Sequence, residues 1–263
     1  MKCKICKEKS IEIFEAKILS KYIIKYYKCT NCHFIQTEEV FWIKESYNNA
    51  ITDSDIGYVT RNLMYSEIVT CIINYIFKKE AKFIDYGGGY GLFVRLMRDQ
   101  GFDFYWQDLY CKNIFANNFR LTDINKNIKF ELLTAFEVFE HLNSPMEEIK
   151  KMFNYTDSIL FVTELQPHND IKNVSDWWYF SPEFGQHISF YSLKTLEIIS
   201  DNLCCNLYTD KCNIHLLTKK KLNYNLIKYI SIYYNIKNKL LSRYFQNKNS
   251  LLKKDFEMLK NQI

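Results

Sequence analysis

Glycine is scarce in this chain, with seven residues in 263. Long apolar runs are missing altogether: no stretch of about 18 apolar residues occurs, and no charged segment leads into an apolar one near the start. The sequence therefore predicts neither a membrane span nor a signal peptide. Internal repeats are missing too, and low complexity is confined to a lysine-rich tail. Apolar and aromatic residues are plentiful, at 48% and 17%, enough to bury a full core in one large domain with additions. Nine cysteines without a secretion signal read as reduced thiols or metal ligands in the cytoplasm. The formal charge of +5 is unevenly placed. Residues 219–263 hold eleven Lys and Arg against Asp255 and Glu257, a balance of +9, which leaves −4 for the first 218 residues.

Four of the seven glycines crowd into FIDYGGGYGLF, at Gly87, Gly88, Gly89 and Gly91. Glycine is used where a backbone takes positive φ or comes close to something else. Residues 81–86 before it are a short, largely apolar run that reads as a buried strand. After it, Leu92, Phe93, Leu96 and Met97 have helical spacing within residues 91–100. Strand, glycine turn and helix form the first half of a βαβ unit, whose turn meets a ligand at the carboxyl edge of a parallel sheet. The spacing is neither the dinucleotide G-x-G-x-x-G nor a P-loop, since no Gly-Lys-Ser/Thr follows. Asp85, at the strand end, repels a phosphate but accepts hydrogen bonds from an ammonium or a hydroxyl. A second acid, Asp108, ends the next predicted strand, residues 102–107. It stands about 20 residues past the turn, where a carboxylate takes both hydroxyls of a ribose.

The pattern Asp85-x-Gly87-x-Gly89-x-Gly91, followed by Asp108, resembles motif I and the ribose-binding acid of the class I S-adenosylmethionine (SAM) methyltransferases. The resemblance implies an α/β fold with a Rossmann-like class I methyltransferase sheet. It implies SAM held by Asp85, Gly87, Gly89, Gly91 and Asp108, with Phe136 near its adenine or methionine end.

At the N-terminus, Cys3-x-x-Cys6 and Cys29-x-x-Cys32 are two CxxC pairs separated by 22 residues. Each pair sets two thiolates on one tight turn, and two such turns close the tetrahedral sulfur shell of a structural zinc. Residues 11–28 between them read as a β-hairpin. His33 is a further ligand type, but four sulfurs already suffice. With every coordination place filled by protein, the predicted role is structural, and the metal supplies folding energy to a segment too small for its own core.

Residues 130–135 read as a later strand, and Glu137-x-x-Glu140-His141 follows at its ligand-binding end. Residues three and four apart share one helical face, so Glu137, Glu140 and His141 converge. Ser144-Pro145, with Glu147 and Glu148, then starts a helix. The E-x-x-E-H pattern resembles one widespread in class I methyltransferases. In small-RNA 2′-O-methyltransferases it resembles a divalent-cation site completed by a later histidine, which implies His187 here, after a strand over residues 158–163. Three readings stand side by side, one of them purely structural, with Glu137 and Glu140 capping backbone amides or orienting the site and the histidines packing. A second divalent cation at Glu137, Glu140, His141 and His187 polarises an acceptor hydroxyl or vicinal diol. Without metal, His141 or His187 is the general base.

Residues 164–191 are long for a connector and hold Trp177, Trp178 and Tyr179, expected to stack on a sugar face, to cover SAM, or to anchor the loop itself. The wording WWYF-SPEFGQHISFYS resembles bacterial methyltransferases associated with surface polysaccharides. Zinc ribbons precede the methyltransferase domain in such sugar-modifying enzymes. A helix over 192–202 and a closing hairpin over 203–209 and 213–218 complete the domain, and an amphipathic helix over 60–79 precedes it. The tail places Leu222, Leu226, Ile230, Tyr233, Ile236, Leu240 and Tyr244 at helical spacing opposite lysines. It is expected to pack on the domain, to pair with a second subunit, or to touch an anionic membrane or polymer.

The expected organisation is a zinc ribbon over 1–45, a SAM-dependent methyltransferase domain over 46–218 and a basic helical tail over 219–263. The expected reaction is methyl transfer to a hydroxyl of a saccharide, or of a small precursor, in bacterial surface-glycan (capsule or lipooligosaccharide) biosynthesis. The rivals are C-methylation of a nucleotide-linked ketosugar, a nucleic-acid methyltransferase, and a non-catalytic SAM-binding regulator. Nucleic acid ranks low as a partner because the basic residues lie in one tail, not interleaved with aromatics along a groove.

Overall fold

The computed structural model describes residues 1–47, 55–125, 128–222 and 226–245, with Leu251, Asp255 and Met258 beyond them. Its strands are β1 (Ser10–Ile18), β2 (Tyr22–Cys29), β3 (Ile35–Thr37), β4 (Lys82–Tyr86), β5 (Asp103–Gln107), β6 (Leu132–Phe136), β7 (Ser158–Val162), β8 (Ser189–Phe190), β9 (Asn206–Thr209) and β10 (Ile214–Thr218). Its helices are α1 (Ile43–Ser46), α2 (Tyr58–Ile76), α3 (Leu92–Asp99), α4 (Pro145–Tyr155), α5 (Leu193–Asn202) and α6 (Leu226–Phe245). The fold is mixed α/β, and the elements group into two compact units: residues 1–48 with 132–221, and residues 49–131 with 222–263. Among the described residues no helix is long and apolar enough to cross a membrane.

In the first unit, the predicted N-terminal hairpin forms. β1 and β2 pair antiparallel from Ser10↔Cys29 to Ile18↔Tyr22, with an irregularity between Glu12 and Phe14. Their β-branched and aromatic residues suit a pleated, half-buried surface, and Ile18, Ile24 and Tyr26 are buried. β3 pairs with β2, and the two-residue β8 pairs with β3, so the sheet runs β1-β2-β3-β8. Its core gathers Ile18, Ile24, Tyr26, Ile35 and Trp42 with Trp177, Tyr179, Phe180 and Phe190. Each fully buried aromatic or aliphatic side chain contributes about 1.5–3 kcal/mol. The aromatic loop is thereby sorted: Trp177 and Tyr179 are core residues, 6% and 4% exposed, while Trp178 between them is 72% exposed. Elsewhere in this unit β6 and β7 run parallel, β10 runs antiparallel to β7, and β9 to β10, which is the expected closing hairpin. Pro145 opens α4 with Glu147 and Glu148 in the first turn, but Ser144 makes no side-chain cap bond. Ser192 does cap α5, accepting from Thr195 N–H at 3.1 Å.

In the second unit, β4 and β5 are parallel, in register from Lys82↔Asp103 to Tyr86↔Gln107. Phe83 stacks on Phe104 at 5.0 Å, and Phe93, Val94 and Met97 of α3 are buried. After β5 the chain makes one parallel bridge, Trp106 to Arg120, and between them the backbone is engaged by side chains such as Asn113 and Asp108 in place of a ladder. α6 departs from the expected stripe. Among its described side chains Ile227 and Ile230 are buried, while Tyr233 and Ile236 are exposed. The side chains of Leu240 and Tyr244 fall outside the described residues. Lys237 of α6 pairs with Glu67 of α2 at 2.8 Å, which shows the tail helix folding back on its own unit.

Candidate active site and cysteine cluster

The glycine turn is shaped by need. Gly87, Gly89 and Gly91 all take positive φ, at 71°, 53° and 84°, where L side chains are strained. A Cβ on Gly91 would also lie 2.7 Å from Asn113 Oδ1. The turn is pinned from β5: Gly87 and Gly88 N–H donate to the Gln107 carbonyl at 2.8 and 3.1 Å. Trp106 Nε1–H donates to the Gly89 carbonyl at 2.9 Å, and Gly89 N–H donates to Asp108 Oδ2 at 2.9 Å. Asp108 Oδ1 accepts from Tyr110 and Cys111 N–H at 2.7 and 2.8 Å. Three backbone donors thus occupy a carboxylate with about four acceptor positions, so Asp108 orders its own turn as well as ending β5. Asp85 is buried at the end of β4. Its charge, together with burial as the larger cause, drives the Tyr58 phenol upward. Phe136 ends β6 in the first unit and is half-buried.

The four predicted thiols come together. The sulfur atoms of Cys3, Cys6, Cys29 and Cys32 all lie within 4.8 Å of one another. Cys3 and Cys32 Sγ are 3.5 Å apart, and Cys6 and Cys29 Sγ are 3.4 Å apart. Zinc–sulfur bonds of about 2.3 Å would set sulfurs about 3.8 Å apart, so the donor set fits that ion. The two turns are built alike. Lys7 N–H donates to the Cys3 carbonyl (3.1 Å) and His33 N–H to that of Cys29 (3.2 Å). Cys3 N–H meets Glu8 O (2.8 Å) and Cys29 N–H meets Phe34 O (2.9 Å). Lys7 and His33 each take positive φ, 66° and 63°, so His33 serves the turn and stands outside the sulfur group. Sequence reading missed the braces. Buried Gln36 accepts from Lys4 N–H at 2.8 Å and donates to the Lys2 carbonyl at 3.0 Å, while Ser192 and Thr195 donate to the Cys32 carbonyl at 2.9 and 2.8 Å.

Of the four acid–base residues, the structure brings three together. Glu140, His141 and His187 place ligand-type atoms within 4.8 Å of one another; Glu137 is outside that group, just past β6, at the strained φ of 54°. Glu137 precedes the short turn Phe139–His141 and takes a left-handed φ, so no continuous helix carries it onto the face of Glu140 and His141. Glu140 is fully buried, and Tyr179 and Thr163 act on its carboxylate as side-chain donors, though neither makes a well-formed hydrogen bond to it. Burial, and then the charge of Glu137, push its pKa up to about 8. Burial holds His187 down at about 4, and burial and then His187 hold His141 well below its usual value, so both rings are neutral near pH 7. The two rings meet edge to face at 5.0 Å. His187 Nδ1 lies 2.6 Å from the Tyr179 carbonyl. A carbonyl only accepts, so Nδ1 carries the proton and Nε2 keeps its lone pair. His141 Nδ1 lies 2.7 Å from the Tyr47 hydroxyl, and its Nε2 is 4.0 Å from Glu140 Oε1. Tyr47 is 94 residues from His141, and no local pattern could have singled it out.

Comparison with known proteins gives one family. A family model described as a methyltransferase domain matches residues 64–202. Among curated proteins, none matches this chain. Among solved structures, the plantazolicin methyltransferase BpumL in complex with SAH is similar at 12% identity, covering 68% of this chain and 89% of that one, with a TM-score of 0.43. An O-methyltransferase family protein from Burkholderia thailandensis is similar at 7% identity over 69% of this chain, with a TM-score of 0.47. The mitomycin 7-O-methyltransferase MmcR is similar at 10% identity over 68%, with a TM-score of 0.42. This chain spans less than two thirds of the last two, 64% and 60% of their lengths.

Proposed function

The chain belongs to the methyltransferase-domain family and is a SAM-dependent methyltransferase, and on that premise we propose that its acceptor is a hydroxyl of a saccharide, or of a small precursor, in bacterial surface-glycan biosynthesis in the cytoplasm. The observation that carries this reading is the state of His187. Its Nδ1–H is committed to the Tyr179 carbonyl, which leaves a neutral Nε2 to take the proton of an attacking hydroxyl. SAM, when bound, would supply the methyl group to that oxygen, its carbon–sulfur bond breaking with the electron pair left on sulfur. Exposed Trp178, one residue from Tyr179, supports a sugar ring as the thing recognised. In this proposal Asp85, Gly87, Gly89 and Gly91 cradle SAM, and Asp108 offers the ribose the one acceptor position that its three backbone donors leave. Cys3, Cys6, Cys29 and Cys32 hold a structural zinc that ties the N-terminal turns together.

A second reading has its own observation. The fully buried carboxylate of Glu140, beside two imidazoles, fits a divalent cation. Glu140, His141 and His187 would hold the ion, which would lower the acceptor hydroxyl's pKa. Mass spectrometry of the host's surface glycan, with and without this protein, tests the main reading. The expected result is one methyl group lost from one residue when the protein is missing, restored by the parent chain and not by His187→Ala. An unchanged glycan overturns it. Retained turnover in EDTA with one zinc per chain argues for the metal-free base; loss of turnover, restored by Mg²⁺ or Mn²⁺, argues for the cation.

A further inference from the structure

Methyl transfer gives no role to the helix α6, which is apolar on two sides. Ile227 and Ile230 are buried and Tyr234 is half-buried. These stand at i, i+3 and i+7, on the side turned into the second unit. Tyr229, Ile232, Tyr233 and Ile236 stand at i, i+3, i+4 and i+7, spacing that puts them together on another face. That face is open: the four side chains are 62%, 41%, 62% and 53% exposed. A contiguous exposed apolar stripe marks a surface that meets something else.

The charges of α6 select what it meets. Residues 226–245 contain Lys228, Lys237, Lys239 and Arg243 and no acid. Lys228 is exposed and directly precedes Tyr229. Lys237 directly follows Ile236, where it reaches Glu67 of α2 at 2.8 Å. Cations therefore bound the stripe at both ends. A second copy laying its own α6 along this face would set cations against cations with no acid on either helix. A dissolved polyanion would answer the charge but offers no apolar depth to two tyrosines and two isoleucines. An anionic bilayer supplies both. Its headgroups attract lysines, and its boundary suits tyrosine, whose ring is apolar and whose tip is polar.

We propose that α6 docks this protein on an anionic lipid surface, lying in the plane of the headgroups. Tyr229, Ile232, Tyr233 and Ile236 enter the boundary with the acyl chains, the lysines meet anionic headgroups, and Ile227 and Ile230 stay in the fold. The helix lies on the bilayer and does not cross it. This docking goes beyond the reading of the acceptor and does not depend on it.

The test is co-sedimentation of the full chain, carrying one zinc per molecule, with vesicles. One set is phosphatidylcholine mixed with phosphatidylglycerol, the other phosphatidylcholine alone. Binding to the mixed vesicles is expected to be at least about tenfold tighter, and to weaken as salt is raised. The triple variant Tyr229→Gln, Tyr233→Gln and Ile236→Gln keeps every charge and a good helix former at each position. It should lose about tenfold or more of the binding, with its melting temperature and its heat of SAM binding unchanged. Equal binding to both vesicle sets, or binding that the triple variant keeps, overturns the proposal. So does a dimer, seen by sedimentation equilibrium, that the triple variant disperses: the face then belongs to a second copy. An unchanged host glycan would leave vesicle binding in place, and absent vesicle binding would leave the role of His187 in place, so the two failures are told apart.

Discussion

Two clusters in the same unit gather ligand-type groups within 4.8 Å, four thiols in one and a carboxylate with two imidazoles in the other, and they are built on opposite plans. The cysteine cluster is made of two like turns, with matching backbone bonds and a left-handed residue after each pair. Its outer carbonyls and amides are taken up by Gln36, Ser192 and Thr195. The Glu140–His141–His187 cluster has no such repetition. One ring is fixed by a carbonyl, one is held by a phenol, and the buried acid makes no well-formed hydrogen bond among the described residues. A finished shell of identical donors suits holding; an unfinished set of unlike groups suits moving a proton or meeting a ligand.

The largest effect should come from the finished cluster. Structural zinc sites carry apparent binding energies of about 10–16 kcal/mol near neutral pH, so Cys29→Ser is expected to lose its metal and the cooperative melting of β1–β3 together. Zinc content and thermal denaturation measure both. A zinc-free variant that melts like its parent would break the contrast. In the unfinished cluster, His187→Ala should lower turnover by about 10²- to 10⁴-fold, with SAM binding heat and melting unchanged. Equal losses of fold and turnover would make the two clusters alike after all.

A smaller effect follows from pH. Glu140 titrates near 8 in the fold and near the ordinary 4.5 when unfolded, so between those values the folded chain binds more protons and stability falls as pH rises. His187, held down at about 4 against 6.5, works the other way: its contribution is lost as pH falls from 6.5 toward 4. Urea melts of Glu140→Gln across this range should show the alkaline decline flattened and the acid one kept. A decline as steep as the parent's would remove Glu140 as its source. The smallest effect belongs to His33→Ala, expected to keep its zinc and to change stability by no more than about 0.5 kcal/mol. Loss of metal there would mean that the shell is not all sulfur.

The parts legible in the sequence are those whose geometry is local. Gly87, Gly89 and Gly91 announce themselves because positive φ excludes most other residues, and each CxxC fixes its own turn. The groups that complete these sites come from far along the chain and carry no such mark: Trp106 on Gly89, Gln36 on Lys4, Tyr47 on His141. The Glu-x-x-Glu-His stretch was legible as chemistry but not as shape, because Glu137 takes a left-handed φ ahead of the turn that carries Glu140 and His141, and no continuous helix joins them. Trp177, Trp178 and Tyr179 follow a strand-like alternation of inside and outside, a period too short in a loop to be read without the core it faces.

The two residues of β8 complete the N-terminal sheet late in synthesis. The open side of β3 is covered by Ser189 and Phe190, which leave the ribosome long after the hairpin does. The sulfurs and backbone bonds of the two cysteine turns come from residues up to Phe34, so these turns can close on a nascent chain while the sheet edge waits for its last strand.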